Sequence, residues 1–114
     1  MPALRAPSIP ADIEHAAYKA YVFVEQEKLK GGWTRDRLLN EITSRGVPCY
    51  SGSCSEVYLE KAFDGTGWQP AARLPVAQEL GETSLMFLVH PTLTESEVQK
   101  TCEILSSVIR NATE

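Results

Sequence analysis

The chain has 114 residues, 43% hydrophobic and 23% charged, with 11 basic against 15 acidic side chains and a net charge of −4. That balance fits one soluble domain with a modest core. It excludes a nucleic-acid surface, which needs clustered Lys and Arg, and no apolar run approaches the ~20 residues of a membrane span.

The opening MPALRAPSIP lacks the apolar core of an export signal. The three cysteines then read as free thiols in a reducing compartment, the cytoplasm. Pro2, Pro7 and Pro10 fix φ and remove donors, so residues 1–12 read as an extended linker or domain junction and residues 13–114 as the domain. Residues 17–24, AYKAYVFV, alternate as a strand, with Ala17, Lys19, Tyr21 and Phe23 on one face. Thr34 caps a first helix with Leu38, Leu39 and Ile42 as its buried stripe, and Gly46 ends it in a left-handed cap. Residues 47–50 return as a second strand.

Residues 46–63, GVPCYSGSCSEVYLEKAF, hold the densest set of ligand-capable groups: a strand runs into a Gly/Ser loop that can present hydroxyls and N–H groups from a rigid base. A short helix is expected over 56–63, a turn-rich break over 64–69, and a helix over 74–80 started by Pro75 and stopped at Gly81. Residues 84–89, SLMFLV, are too apolar for a half-exposed strand and belong mid-sheet. The last helix opens on a capping box, Thr94 with Glu97, beside a Leu93–Val98 staple. Its stripe is Val98, Cys102, Leu105, Val108 and Ile109, and residues 111–114 should fray. The sum predicts an α+β two-layer sandwich: a small sheet of about three strands with helices mainly on one face. The strands are apolar on both sides, so the other face calls for a partner surface that the chain does not supply.

Several groups invite chemistry. Glu56 and Glu60, one helical turn apart, would make an acid/base pair if buried, or a solvated pair if not. Lys19, inside an apolar strand, is costly unless it meets an anionic group or opens to water. His90 stands at a strand end. Cys49 and Cys54 are spaced too widely for a zinc pair and lack a second pair, so no metal site is expected, and Cys102 reads as core. No nucleophile elbow or phosphate-binding glycine loop is present.

The order of these elements carries a resemblance. The AYKAYVFV strand is followed by a Trp33-Thr34-Arg35-Asp36 helix start, then Gly46-Val47, a loop closing on Ala62-Phe63, and a Leu74-Pro75-Val76-Ala77 helix. A strand into His90-Pro91-Thr92-Leu93-Thr94 and a final amphipathic helix complete it. Over roughly residues 10–109 the chain resembles the C-terminal small domain of DegT/DnrJ/EryC1/StrS sugar aminotransferases, PLP enzymes of the aspartate-aminotransferase fold (fold type I). The resemblance implies that the Schiff-base lysine and the cofactor site lie in a large domain absent from this sequence, so no catalytic or cofactor-binding residue is expected here. PLP, a nucleotide sugar and an amino donor such as glutamate would engage the full-length enzyme, a homodimer, and this chain alone should be inactive.

In the family the loop after the second strand reaches the active site at the dimer interface. Family histidines there fall on Gly52 and Tyr58, so hydroxyls and backbone replace imidazole. The substrate-binding candidates are Lys19, Tyr50, Ser51, Ser53 and Tyr58. The rival readings are an amino-acid-binding regulatory α+β module and a PLP-type sugar dehydratase domain.

Overall fold

The computed structural model describes residues 1–114. Its strands are β1 (Leu4–Arg5), β2 (Lys19–Val24), β3 (Cys49–Tyr50) and β4 (Ser84–Leu88), and its α-helices are α1 (Arg35–Ser44), α2 (Pro75–Thr83) and α3 (Glu95–Thr113). The sheet order is β1-β2-β4-β3, and every pair is antiparallel. The α+β two-layer expectation holds, with one strand more than foreseen. Part of the proline-rich lead supplies it: Leu4 pairs with Val24, Arg5 with Phe23, and Ala3 is fully buried. No helix is long and apolar enough to cross a membrane.

Register sorts the side chains. Val22 opposite Leu85, and Phe87 opposite Cys49, face α1 and α3, where Leu38, Ile42, Val108 and Ile109 close the core. Phe23 opposite Ser84, Tyr21 opposite Met86, Tyr50 beside Met86, and Lys19 opposite Leu88 share the second face. That face is not bare. Ser84 and Met86 are buried on it, because α2 and the loop after β3 fold back over half of its length. The other half, toward Lys19 and Leu88, stays open.

The caps behave as the sequence dictates. Thr34 accepts from the Arg37 N–H at 3.2 Å, Gly46 takes φ +80°, and Thr94 and Glu97 close the capping box in both directions. Trp33 packs against the core and stacks on Arg37, 4.2 Å from guanidinium carbon to ring centre.

Four expectations need correction. Residues 56–63 form two 3₁₀ turns, Val57–Leu59 and Lys61–Phe63, because Glu60 between them is extended at ψ 144°. The second helix does not stop at Gly81 but runs to Thr83 and enters β4 directly, the Ser84 N–H closing on the Leu80 carbonyl. α3 does not fray at 111: Ala112 is fully buried and its carbonyl accepts from the Lys30 N–H at 2.9 Å. Cys102 is exposed, since the first half of α3 overhangs the core instead of lying on it.

The overhang shows in the dimensions. The accessible surface is 7821 Å², against about 6,200 Å² for a compact monomer of this mass. The radius of gyration is 16.2 Å, against about 13 Å. The excess of roughly 1,600 Å² is about twice the ~800 Å² that one partner contributes to a standard-sized specific interface. It gathers apolar side chains at two places: Leu88, Val89, Leu93 and Val98 at one end, and Val57, Leu59, Trp68 and Val76 along the excursion between β3 and α2.

Candidate functional site

The excursion 51–74 leaves β3 and returns as α2, and its start is fixed to the second sheet face. The Ser84 hydroxyl, buried in β4, donates to the Ser51 carbonyl. Tyr21 and Ser53 share a hydrogen bond of 2.9 Å between their hydroxyls. Gly52 makes the close approach possible, with φ +91° and no Cβ to meet the Tyr21 ring. These contacts frame a cavity of about 250 Å³ lined by Tyr21, Phe23, Ser53, Ser55, Leu80 and Ser84, with Cys54 beside them. It is an apolar floor with a hydroxyl rim, suited to a ligand with one apolar face and several hydroxyls.

Two predicted site residues, Ser51 and Ser53, come together here. Tyr50 lies one residue upstream in β3, 47% exposed, in the same cross-strand row as Met86 and Tyr21. The structure does not bring Lys19 or Tyr58 to them. Lys19 lines a second groove of about 340 Å³ with Tyr18, Leu88, His90, Leu93 and Glu97. Its ammonium sits 5.5 Å from the Tyr18 ring centre and makes no ion pair. His90 turns its Nδ1 to the Thr92 hydroxyl at 2.7 Å. Glu97 is spent on Thr94, whose N–H and hydroxyl both donate to its Oε2 at 2.8 Å, and these bonds hold its carboxyl below the usual range.

Tyr58 points into a network. Its hydroxyl donates to Glu56 Oε1 at 2.7 Å and accepts from the Leu74 N–H at 2.9 Å. Arg73 forks onto the same carboxylate through Nε, at 2.9 Å, and Nη2. The Arg73 bonds, then the Tyr58 bond, hold the Glu56 carboxyl down to about 2. Desolvation and the Glu56 charge push the Tyr58 phenol up, and Glu56 raises Arg73. The Glu56–Glu60 acid pair does not form: Glu56 is committed to Arg73, and Glu60 takes a weak bond from Cys54 Sγ at 3.5 Å.

Sequence reasoning missed Tyr21, Ser84, Arg35 and Arg73. Tyr21 carried a signal, since alternation put it on the Lys19 face. Arg35 has none beyond its place in the helix start. Its side chain is 14% exposed and donates to the Gly81 and Ser84 carbonyls at 3.1 and 2.9 Å, anchoring the α2–β4 junction to α1. Arg73 meets its partner 17 residues away, beyond any periodicity.

The fold and site define one class: an antiparallel α+β layer carrying a tied, hydroxyl-lined excursion and exposed apolar side chains at two places. Solved structures place that unit. The chain is 58% identical to an aminotransferase from Psychrobacter cryohalolentis over 89% of its length, with a TM-score of 0.86. In fold it also matches the aminotransferase TlmJ from Streptoalloteichus hindustanus (21% identity, 96% of this chain, TM-score 0.77) and a DegT DnrJ EryC1 StrS aminotransferase from Brucella abortus (20%, 98%, 0.71). The resemblance carried by the ordered motifs is therefore met in the fold: these structural neighbours are aminotransferases, the one from Brucella abortus of the DegT DnrJ EryC1 StrS type. The chain spans about a quarter of the length of each, 26–27%. No family model and no curated protein matches it.

Proposed function

We propose that this chain is the C-terminal small domain of a PLP-dependent nucleotide-sugar aminotransferase, residues 13–114 forming its body and 1–12 a junction whose Leu4 and Arg5 join the domain's sheet. The observation that carries the reading is the 58% identity, at a TM-score of 0.86, to a quarter of an aminotransferase. In this reading the whole enzyme is a cytoplasmic homodimer that moves an amino group, from a donor such as glutamate, to a keto sugar. The excursion shapes the sugar pocket through Tyr50, Ser51 and Ser53. The hydroxyl-rimmed cavity suits a sugar ring, which offers an apolar face and hydroxyl edges together.

In this reading the cofactor is seated outside these residues. Lys28 is paired with Glu25 at 2.7 Å, and the one acid in the Lys19 groove, Glu97, is consumed by the α3 cap. Neither of these two lysines has an uncommitted acid among those partners to serve a pyridine nitrogen. In this reading the cofactor and the chemistry fall to the other three quarters of the enzyme.

The test is the intact protein, supplied with PLP, glutamate and a panel of nucleotide-linked keto sugars. Release of 2-oxoglutarate together with an amino sugar is expected. A deoxygenated sugar with no amino transfer would convert the assignment to a dehydratase. No turnover of any sugar, with binding of free amino acids instead, would replace it by the regulatory-module reading.

A further inference from the structure

The excursion is tied in two places. Its start is held to the sheet by the Ser51–Ser84 and Tyr21–Ser53 bonds. Its middle is tied to the entry of α2: Glu56 to Arg73, and Tyr58 to the Leu74 N–H. The second tie closes the neck of a lobe, residues 59–72. Within the lobe Gln69 returns a bond to the Tyr58 carbonyl at 3.0 Å, and Trp68 projects outward at 78% exposure. The lobe buries no side chain, so packing does not hold it in place and the neck bonds do.

The chemistry of the neck is that of a fixed joint. The Tyr58 hydroxyl gives its one proton to Glu56 and accepts from the Leu74 N–H, so its donor and one acceptor site are committed inside the chain. A planar guanidinium facing a carboxylate through two bonds fixes orientation as well as distance, which a lysine at 73 would not. The Glu56 side chain is 14% exposed, so its charge is largely withheld from water while paired.

We infer that Glu56, Tyr58 and Arg73 form a clasp that positions the lobe and, through it, residues 51–55 of the cavity. Tyr58 is a positioning residue and not a sugar contact. Only the kinetic arm of the test rests on the aminotransferase reading.

The experiment compares the intact protein with its Arg73→Lys, Arg73→Ala and Tyr58→Phe variants by amide hydrogen exchange and steady-state kinetics. Arg73→Ala should speed exchange over residues 57–74 at least tenfold while α1 and the second half of α3 keep their protection. Arg73→Lys, which keeps charge but loses the fork, should recover less than half of that protection. Tyr58→Phe should free the Leu74 amide. In kinetics, Arg73→Ala and Tyr58→Phe should raise the sugar KM three- to tenfold while kcat moves less than twofold. Unchanged exchange in Arg73→Ala overturns the clasp, whatever the enzyme's reaction. Faster exchange with an unchanged sugar KM overturns its link to the site. An intact protein with no aminotransferase turnover but with the expected exchange pattern upholds the clasp and removes only the functional reading it was joined to.

Discussion

Gly52 offers the sharpest test of how the loop sits on the sheet, with Gly65 as its matched control. Both have positive φ, +91° and +72°. A Cβ at Gly52 would stand 2.8 Å from Tyr21 Cε1 and 3.0 Å from Ser84 Oγ, whereas one at Gly65 meets nothing within 4 Å. Alanine at either position takes on a left-handed backbone, a cost of about 1–2 kcal/mol. Only at Gly52 does overpacking add about 1–3 kcal/mol. Neither neighbour there yields freely. The Tyr21 hydroxyl is bonded to Ser53, and Ser84 is 4% exposed with its hydroxyl bonded to Ser51. Gly52→Ala should therefore destabilise by about 2–5 kcal/mol and Gly65→Ala by about 1–2. Urea unfolding followed by circular dichroism reads the difference. With a slope of about 1–3 kcal/mol per molar, a gap of about 2 kcal/mol separates the two midpoints by roughly 1 M. Coincident midpoints would refute the claim that the loop is pressed against Tyr21 and Ser84.

Thiol labelling with Ellman's reagent at pH 8 should modify Cys54 and Cys102 quickly and leave Cys49 until unfolding. Cys49 is buried, and burial lifts its thiol to about 11, which leaves about one thiolate in a thousand at that pH. Acid should loosen the excursion and the start of α3. Glu56 and Glu97 both have folded-state values below the ordinary 4.5, Glu56 at about 2. Their contribution is complete above about 4.5 and is lost as pH falls below it, for Glu56 down toward 2. Glu56→Gln should flatten part of that loss between pH 4.5 and 2.5, and an unchanged acid profile in this variant would remove the Arg73 pair from the stability of the chain.

What the sequence made legible was local. The Thr34 cap, the left-handed Gly46 and the Thr94–Glu97 box are each decided by a few neighbouring residues, and each stands in the structure. Two strands were readable for different reasons: Val22 and Val24 alternate with the aromatic Tyr21 and Phe23, and Ser84–Leu88 is a short, nearly continuous apolar run. The excursion was not, because its geometry depends on pairs distant in the chain: Tyr21 with Ser53, Arg35 with Gly81, Glu56 with Arg73. A spacing argument put Glu56 and Glu60 on one helix face, but residues 56–63 break into two 3₁₀ turns at the extended Glu60, and the Glu56 carboxylate pairs with Arg73. Tyr58, picked as a sugar contact for its place in the loop, has its hydroxyl consumed by the same network.

The stripe of α3 departs from expectation for a different reason. Val98, Cys102, Leu105, Val108 and Ile109 are spaced as one apolar face, yet the structure buries only the last three. A helix stripe records which side chains meet a core, and a pattern continued over Val98 and Cys102 is selected only if something covers them. Leu93, Leu88 and Val89 are exposed at the same end. Covering these residues would bury part of the ~1,600 Å² by which the chain exceeds a compact monomer. Periodicity therefore described a core that extends past the surface of this chain. The same physical excess and the quarter-length match to an aminotransferase both support the function proposed above, in which protein outside these 114 residues would cover this face.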